Sequence, residues 1–232
     1  VYYYTSAVSL GAPGRRVDFC VPTGNFGDIF AGRIAQAMGL PVGRLVIATN
    51  RNDILHRTMV SGHHTKEGVA PTLSPAVAIE GSSNFERAVF DAYGRDGGAV
   101  AQLMAELSEN GGFPVSQGAM EALRETYASG RSSEDETSEM IRTTFAETGE
   151  VLCPHSAVGV KVAREMLDPA RPMVTLATAH PAMFPDAVEA ATGRRPPLPN
   201  RMADLYERSE RVTRVENSLA HVEELIEDRI AK

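Results

Sequence analysis

The sequence predicts an α/β fold: a mostly parallel sheet flanked by helices, followed by a helical C-terminal region. Three observations carry this. Val17-Asp18-Phe19-Cys20-Val21 and Leu45-Val46-Ile47-Ala48 are short β-prone runs that read as strands buried on both faces. A helical pattern lies between them, so strand, helix and strand recur within about 30 residues, and a unit of that size implies parallel pairing. A third run, Met173-Val174-Thr175-Leu176-Ala177-Thr178, repeats the strand signal far downstream.

The elements follow in order. Tyr2, Tyr3 and Val8 read as the end of a helix, and Gly11-Ala12-Pro13-Gly14 is turn chemistry. Residues 22–27 are a turn. From Asp28 a helix is expected with Ile29, Phe30, Ile34, Ala37 and Met38 on one face, ended by Gly39 and Pro41. Asn52 is placed to cap the next helix, which carries Ile54, Leu55, Met59 and Val60. Residues 61–81 read as a loop. Residues 85–107 are helical with an interruption at Gly97-Gly98, and residues 120–127 form a short helix. Ser133 and Glu136 make a capping box for a helix through Phe145 that Gly149 ends. Helices are expected at about 156–167 and at 185–191. Pro196-Pro197-Leu198-Pro199 is a link to a final helix bearing Leu219, Val222, Leu225, Ile226 and Ile230. The expected organisation is thus an α/β region at 1–195, with a helical insertion at about 82–150, and a helical tail at 196–232.

Composition narrows the function classes. With 43% hydrophobic residues the 232-residue chain has ample core. Its net charge of −7 argues against nucleic acid, whose phosphates need clustered Lys and Arg. No apolar run reaches the length of a membrane span, and the N-terminus has no signal-peptide pattern. The first residue is not Met, which points to a missing upstream segment. Cys20 and Cys153 make no disulfide framework, and a reducing cytoplasm is the expected location.

Two segments carry candidate chemistry. Thr23-Gly24-Asn25-Phe26-Gly27 joins a strand to a helix start. Its glycines let backbone amides approach an anion, and the helix N-terminus adds a positive dipole end. The spacing matches neither a Walker loop nor a dinucleotide fingerprint. The turn is therefore either a phosphate site or an ordinary strand-to-helix connection. Thr178 and His180 follow the third strand, at the end where open α/β sheets collect ligands. There a hydroxyl can bond a ring nitrogen, or simply satisfy local backbone. Cys153 and His155 are too close in sequence for a catalytic pair, and Ser156 is the expected helix cap. His63 and His64 lack partners at zinc spacing and read as surface loop. No metal is expected.

The motifs converge on one family. Val21-Pro22-Thr23-Gly24-Asn25-Phe26-Gly27-Asp28-Ile29-Phe30-Ala31-Gly32 is followed by Leu45-Val46-Ile47-Ala48-Thr49-Asn50 and Asn52-Asp53-Ile54-Leu55. Then come Ser82-Ser83-Asn84-Phe85-Glu86-Arg87, Pro154-His155-Ser156-Ala157-Val158-Gly159 and Ala177-Thr178-Ala179-His180-Pro181. In content and order these resemble threonine synthases along nearly the whole chain. The resemblance implies a fold-type-II enzyme that uses pyridoxal 5'-phosphate (PLP) to convert O-phospho-L-homoserine and water to L-threonine and phosphate. It implies that Gly24, Asn25, Phe26, Gly27 and Asp28 cradle the cofactor phosphate and that Thr178 partners the pyridine nitrogen. Ser83, Asn84, Arg87 and His155 are the implied substrate contacts. Two positions depart from the family pattern: Cys153 stands where the family has Asp, and Met183 where it has Lys.

Only three lysines occur, Lys66, Lys161 and Lys232, and none sits in a segment like the one that carries the family's Schiff-base lysine. The expectation is a C-terminal portion of such an enzyme, with no catalytic residue of its own. Its partner would be the missing N-terminal half of the same protein. The alternatives are a related PLP-dependent β-eliminase of the serine/threonine dehydratase type, or a non-catalytic anion-binding module.

Overall fold

The computed structural model describes residues 1–79 and 81–231. Its frame is the strand–helix–strand unit expected from the sequence. β1 (Val17–Pro22) and β2 (Val42–Thr49) pair in parallel, and α2 (Gly27–Ala37) connects them. β6 (Met173–Thr175) pairs with the other edge of β1, and β5 (Tyr127–Arg131) with the outer edge of β2, both in parallel. The order is β5-β2-β1-β6. Central position explains why all six residues of β1 are buried. Val17, Phe19 and Val21 face a core shared with α1 (Tyr2–Ser9), α2 and α3 (Ile54–Ser61). Cys20, Val46 and Ala48 face the other way, onto Val158 and Val162 of α8 (Pro154–Glu165). Two-sided cover is what a parallel sheet requires.

The segment expected as a helical insertion contributes helices α4 (Phe85–Ala92), α5 (Gly97–Asn110), α6 (Gln117–Thr126) and α7 (Glu134–Thr148), but also the edge strand β5. Tyr127-Ala128-Ser129-Gly130-Arg131 has no apolar run to mark it. It is a strand because the edge of β2 needs pairing and because Gly130 admits Val162, which a Cβ there would meet at 2.7 Å. The capping box on α7 is present: Ser133 Oγ accepts from the Glu136 amide at 3.2 Å, and Glu136 Oε2 from the Ser133 amide at 2.8 Å. The strand expected at 173–178 stops at Thr175, and α9 (Pro185–Thr192) follows.

Three local expectations are corrected. α2 does not bury the stripe expected for it: Ile34 and Met38 are 45% and 70% exposed, while Ile29, Gly32 and Ala35 face in. The small side of the helix faces inward because Tyr3 and Leu45 press on Gly32, where a Cβ would lie 2.5 Å and 2.9 Å from them. Asn52 does not cap α3, whose N-cap is Asp53. The Asn52 side chain exchanges hydrogen bonds with the backbone of Ala70, at 2.9 and 2.7 Å. Finally, His63 and His64 are not surface loop. They lie in β3 (His63–Thr65), antiparallel to β4 (Gly112–Pro114), with His63 out and His64 buried between Phe85 and Phe113.

Burial pushes the His64 imidazole down to about 4, with Arg57 and Lys66 adding to the effect. Below pH 6.5 the unfolded chain takes up a proton that folded His64 refuses. Stability is therefore fully present above 6.5 and is lost as pH falls through 4. The full effect is about 3 kcal/mol, at about 1.4 kcal/mol for each pH unit separating the folded and unfolded values. Urea unfolding at pH 7, 5.5 and 4.5 should show this slope, and a His64→Phe variant should flatten it.

Residues 197–231 form a second compact unit with α10 (Leu219–Ile230), on which Leu219, Ile226 and Ile230 are exposed. No helix among the described residues is long and apolar enough to cross a membrane.

Candidate functional site

At the C-terminal end of β1 the chain turns through residues 23–27 into α2. Thr23 anchors the turn: its amide donates to the Ala48 carbonyl at 2.8 Å and its hydroxyl to the Val21 carbonyl at 2.5 Å. Phe26 adopts the left-handed conformation, φ 67°, which costs a non-glycine residue about 1 kcal/mol. Burial of its ring against Phe85 and Tyr127, with centroids at 5.2 and 5.3 Å, offsets that cost. Asn25 Oδ1 accepts from the Gly27 amide at 2.8 Å.

A second segment clamps the turn. Ser82 Oγ donates to the Gly24 carbonyl at 2.9 Å, and Asn84 donates to the Asn25 carbonyl from both its amide and Nδ2, each at 3.0 Å. Gly24 lies against Ala76 and Val77 so closely that a Cβ would meet the Ala76 oxygen at 2.8 Å and the Val77 Cα at 2.9 Å. Buried His155 holds the same stretch, its Nε2 accepting from the Ala76 amide at 3.1 Å. That places the ring proton on Nδ1, a buried donor with no partner among the described residues. Burial lowers the His155 pKa, which favours the neutral ring that the Nε2 acceptor role requires.

Among the described residues no acceptor meets the amides of Gly24, Asn25 or Phe26. Free N–H groups clustered at the start of an eleven-residue helix, on a turn with glycine at its tightest point, suit a phosphate-sized anion. Asp28, in the first turn of α2, is directed to Tyr3, whose hydroxyl donates to the Asp28 carbonyl at 2.9 Å and to Oδ1 at 3.3 Å. Burial raises the Asp28 carboxyl above its ordinary value, against the opposing pull of the Tyr3 hydrogen bond. Asp28 shares a cavity of about 500 Å3 with Thr178 and the chain from Val174 to Ala177. Thr178 is exposed in it, without a hydrogen bond to another described residue.

The structure thus brings Gly24, Asn25, Phe26, Gly27 and Asp28 together with Asn84, ties His155 to the Ala76 stretch packed against Gly24, and puts Thr178 and Asp28 on the lining of one cavity. Ser83 and Arg87 are exposed and lie outside that cavity, with Arg87 beside Gly27 and Phe30 in a neighbouring groove. The sequence singles out Ser83, whereas the hydroxyl that holds the turn is that of Ser82. Nothing in the sequence marks Ala76 and Val77, which sit in a stretch without motif or periodicity. Cys153, not Ser156, caps α8: its Sγ accepts from the Ser156 amide at 3.4 Å, because Pro154 starts the helix two residues earlier than expected. His180 Nδ1 accepts from the Ala182 amide at 3.1 Å and starts a short turn. Lys161 is held by Glu136 and Glu165 at 3.1 and 2.9 Å. Neither it nor Lys66 lines the cavity of Thr178, and Lys232 lies outside the described residues. No group of three or more potential metal ligands assembles among the described residues.

Comparison with known proteins bears on this arrangement. A family model described as the C-terminal part of threonine synthase matches residues 156–226. Threonine synthase of Pseudomonas aeruginosa is 49% identical over 228 residues, covering 97% of this chain and 49% of that protein. The crystal structure of PLP-bound threonine synthase from Brucella melitensis superposes with a TM-score of 0.92 at 54% identity, covering 98% of this chain and 49% of that one. This chain belongs to the threonine synthase family. Threonine deaminase isoform 2 from Solanum lycopersicum, at 13% identity and a TM-score of 0.50, shares the fold alone. The sheet and its helices are therefore those of fold-type-II PLP enzymes. The chain spans about half the length of the threonine synthases it matches.

Proposed function

We propose that this chain supplies the cofactor-phosphate and ring-nitrogen side of a threonine synthase site. The assembled protein would convert O-phospho-L-homoserine and water to L-threonine and phosphate, as a PLP-dependent carbon–oxygen lyase acting on a phosphate ester. The observation that supports this most is the set of unbonded amides at Gly24, Asn25 and Phe26, on the helix whose first turn shares a cavity with Thr178.

PLP bound there would serve as an electron sink for the carbanion of the amino-acid substrate. The residues of this chain do the holding. The turn amides and the α2 N-terminus carry the phosphate charge without a lysine. Tyr3 keeps the Asp28 carboxyl turned from the amides, so the cradle stays positive. A hydroxyl at Thr178 bonds a ring nitrogen without charging it, which tempers electron withdrawal. Asn84 donates to the Asn25 carbonyl from its amide and its Nδ2, which also reaches Ser83 Oγ, and so acts by bracing the turn. Arg87 offers a substrate phosphate a guanidinium with no ion pair among the described residues, Ser83 an exposed hydroxyl, and His155 a neutral Nδ1–H. The covalent lysine would come from the missing N-terminal half, a reading supported by the chain covering about half of its relatives' length. The dehydratase alternative has weaker support, since the deaminase likeness extends to fold only.

The test joins this chain to an N-terminal half in one polypeptide, loads PLP and supplies O-phospho-L-homoserine. Equimolar L-threonine and phosphate are expected. Phosphate accompanied by 2-oxobutyrate in place of threonine would support the dehydratase reading instead.

A further inference from the structure

The turn at Gly24 and the chain packed behind it are fixed to the same end of β2. On the turn side, the Thr23 amide donates to the Ala48 carbonyl at 2.8 Å. Two residues further on, Asn50 follows the last residue of the strand. Its side chain is fully buried, as is that of Ser74. Asn50 Nδ2 donates to the Ser74 carbonyl at 3.1 Å and lies 3.0 Å from the hydroxyl oxygens of Ser74 and of Thr72. Asn50 Oδ1 accepts from the Asn52 amide at 2.8 Å. A backbone donor on one side and a backbone acceptor on the other fix which way the carboxamide points. Aspartate has the same size but could not donate to the Ser74 carbonyl.

That carbonyl also accepts from the Val77 amide, at 3.1 Å, and so closes the short helical turn Pro75–Val77. The turn presents the Ala76 oxygen and the Val77 Cα to Gly24, where a Cβ would meet them at 2.8 and 2.9 Å. Glu134 Oε2 and His155 Nε2 accept from the neighbouring amides of Leu73 and Ala76, at 2.7 and 3.1 Å. Those two anchors stand on helices α7 and α8, whereas Asn50 continues the strand that also holds Thr23. We propose that Asn50 is a positioning residue for the phosphate cradle. It sets residues 74–77 at a fixed distance from β2, and they hold Gly24 where the amides of Gly24, Asn25 and Phe26 converge on one anion. Its side chain is enclosed by protein, so it acts through residues 74–77 and not on the anion. The inference rests on the reading of this turn as the PLP-phosphate site.

The test uses the protein completed by an N-terminal half. Asn50→Ala should weaken PLP binding about ten-fold in a spectroscopic titration, while pyridoxal, which lacks the phosphate, binds within about two-fold of the unaltered protein. Without cofactor, hydrogen exchange at the Ala76 and Val77 amides should quicken about ten-fold, with Val46 and Ile47 of β2 unchanged. A third measurement combines Asn50→Ala with Gly24→Ala. Once released, residues 74–77 can yield to the new methyl group, so the double variant should bind PLP at least as well as Gly24→Ala alone. Single losses that multiply in the double variant would overturn the proposal. So would a PLP affinity unchanged by Asn50→Ala, or an equal loss for pyridoxal. Ser74→Ala removes one acceptor at nearly constant volume and should show the same pattern at about two- to three-fold, which serves if Asn50→Ala does not fold. Failure of the unaltered protein to bind PLP would overturn the reading of the turn and this inference together, whereas the other outcomes overturn this inference alone.

Discussion

Replacing Gly24 with alanine is expected to weaken PLP binding at least ten-fold in the protein completed by an N-terminal half. Its backbone is not in the left-handed region, so the effect is steric. The new methyl group would meet the Ala76 oxygen at 2.8 Å and the Val77 Cα at 2.9 Å. Both are backbone atoms, and His155 and Ser82 hold the two sides of the contact in place. Either residues 74–79 move out or the turn moves toward the phosphate, and each disturbs the amides at Gly24, Asn25 and Phe26. Overpacking of this kind costs about 1–3 kcal/mol in stability. Gly118, in α6, is the control: a Cβ there meets nothing within 4 Å, so alanine should leave PLP affinity unchanged. Spectroscopic PLP titration and urea unfolding of both variants make the comparison. An unchanged affinity in the Gly24 variant would show that the turn is not the cofactor cradle.

The largest expected loss of stability away from the site is at Asp18. It is the one carboxylate inside the central strand, 1% exposed. One oxygen accepts from the Arg44 amide at 2.7 Å, and the pair of oxygens meets the Arg44 and Arg171 guanidinium groups at 3.3 and 3.1 Å. Asp18 therefore ties β1 to β2 and to the chain entering β6. A Cβ at Gly43 would lie on top of the carboxylate, which explains a glycine at that place in a strand. Removing one partner of a buried pair costs about 3–5 kcal/mol. The arginines here are 40% and 31% exposed, so water can receive them, and Asp18→Ala should fall at about 3 kcal/mol, the low end of that range. Asp18→Asn keeps an acceptor for the Arg44 amide and should cost about half as much, since a net hydrogen bond is worth about 1 kcal/mol. A loss below about 1 kcal/mol in urea unfolding of Asp18→Ala would mean that the arginines do not depend on it.

Much of the site is legible before folding because its chemistry is local. The turn at residues 23–27, the dipole end of α2 and the capping box on α7 are each made by residues within a few positions of one another. Periodicity misplaces the buried face of α2 because it ranks residues by hydrophobicity, whereas close approach to Tyr3 and Leu45 selects for small size. β5 carries little strand signal because Tyr127 is its one large apolar side chain in the core, and the small residues after it are covered from above by Val162 at Gly130. Ser82 falls within a motif but is not singled out for the site, because its partner, Gly24, lies 58 positions away.

From the sequence alone follow the α/β class, the two buried central strands, the likeness to threonine synthases, and the absence of a lysine in a segment suited to covalent cofactor chemistry. Each depends on composition or on patterns within short stretches, where backbone propensity and side-chain alternation act without distant help. Tertiary structure alone decides that Gly24 is sterically irreplaceable and that Asp28 turns to Tyr3. It alone places Thr178 and Asp28 on one cavity and leaves the Tyr127 hydroxyl buried without a partner among the described residues. Those facts are distances between groups far apart in the chain, and only packing brings them within a few ångströms of one another.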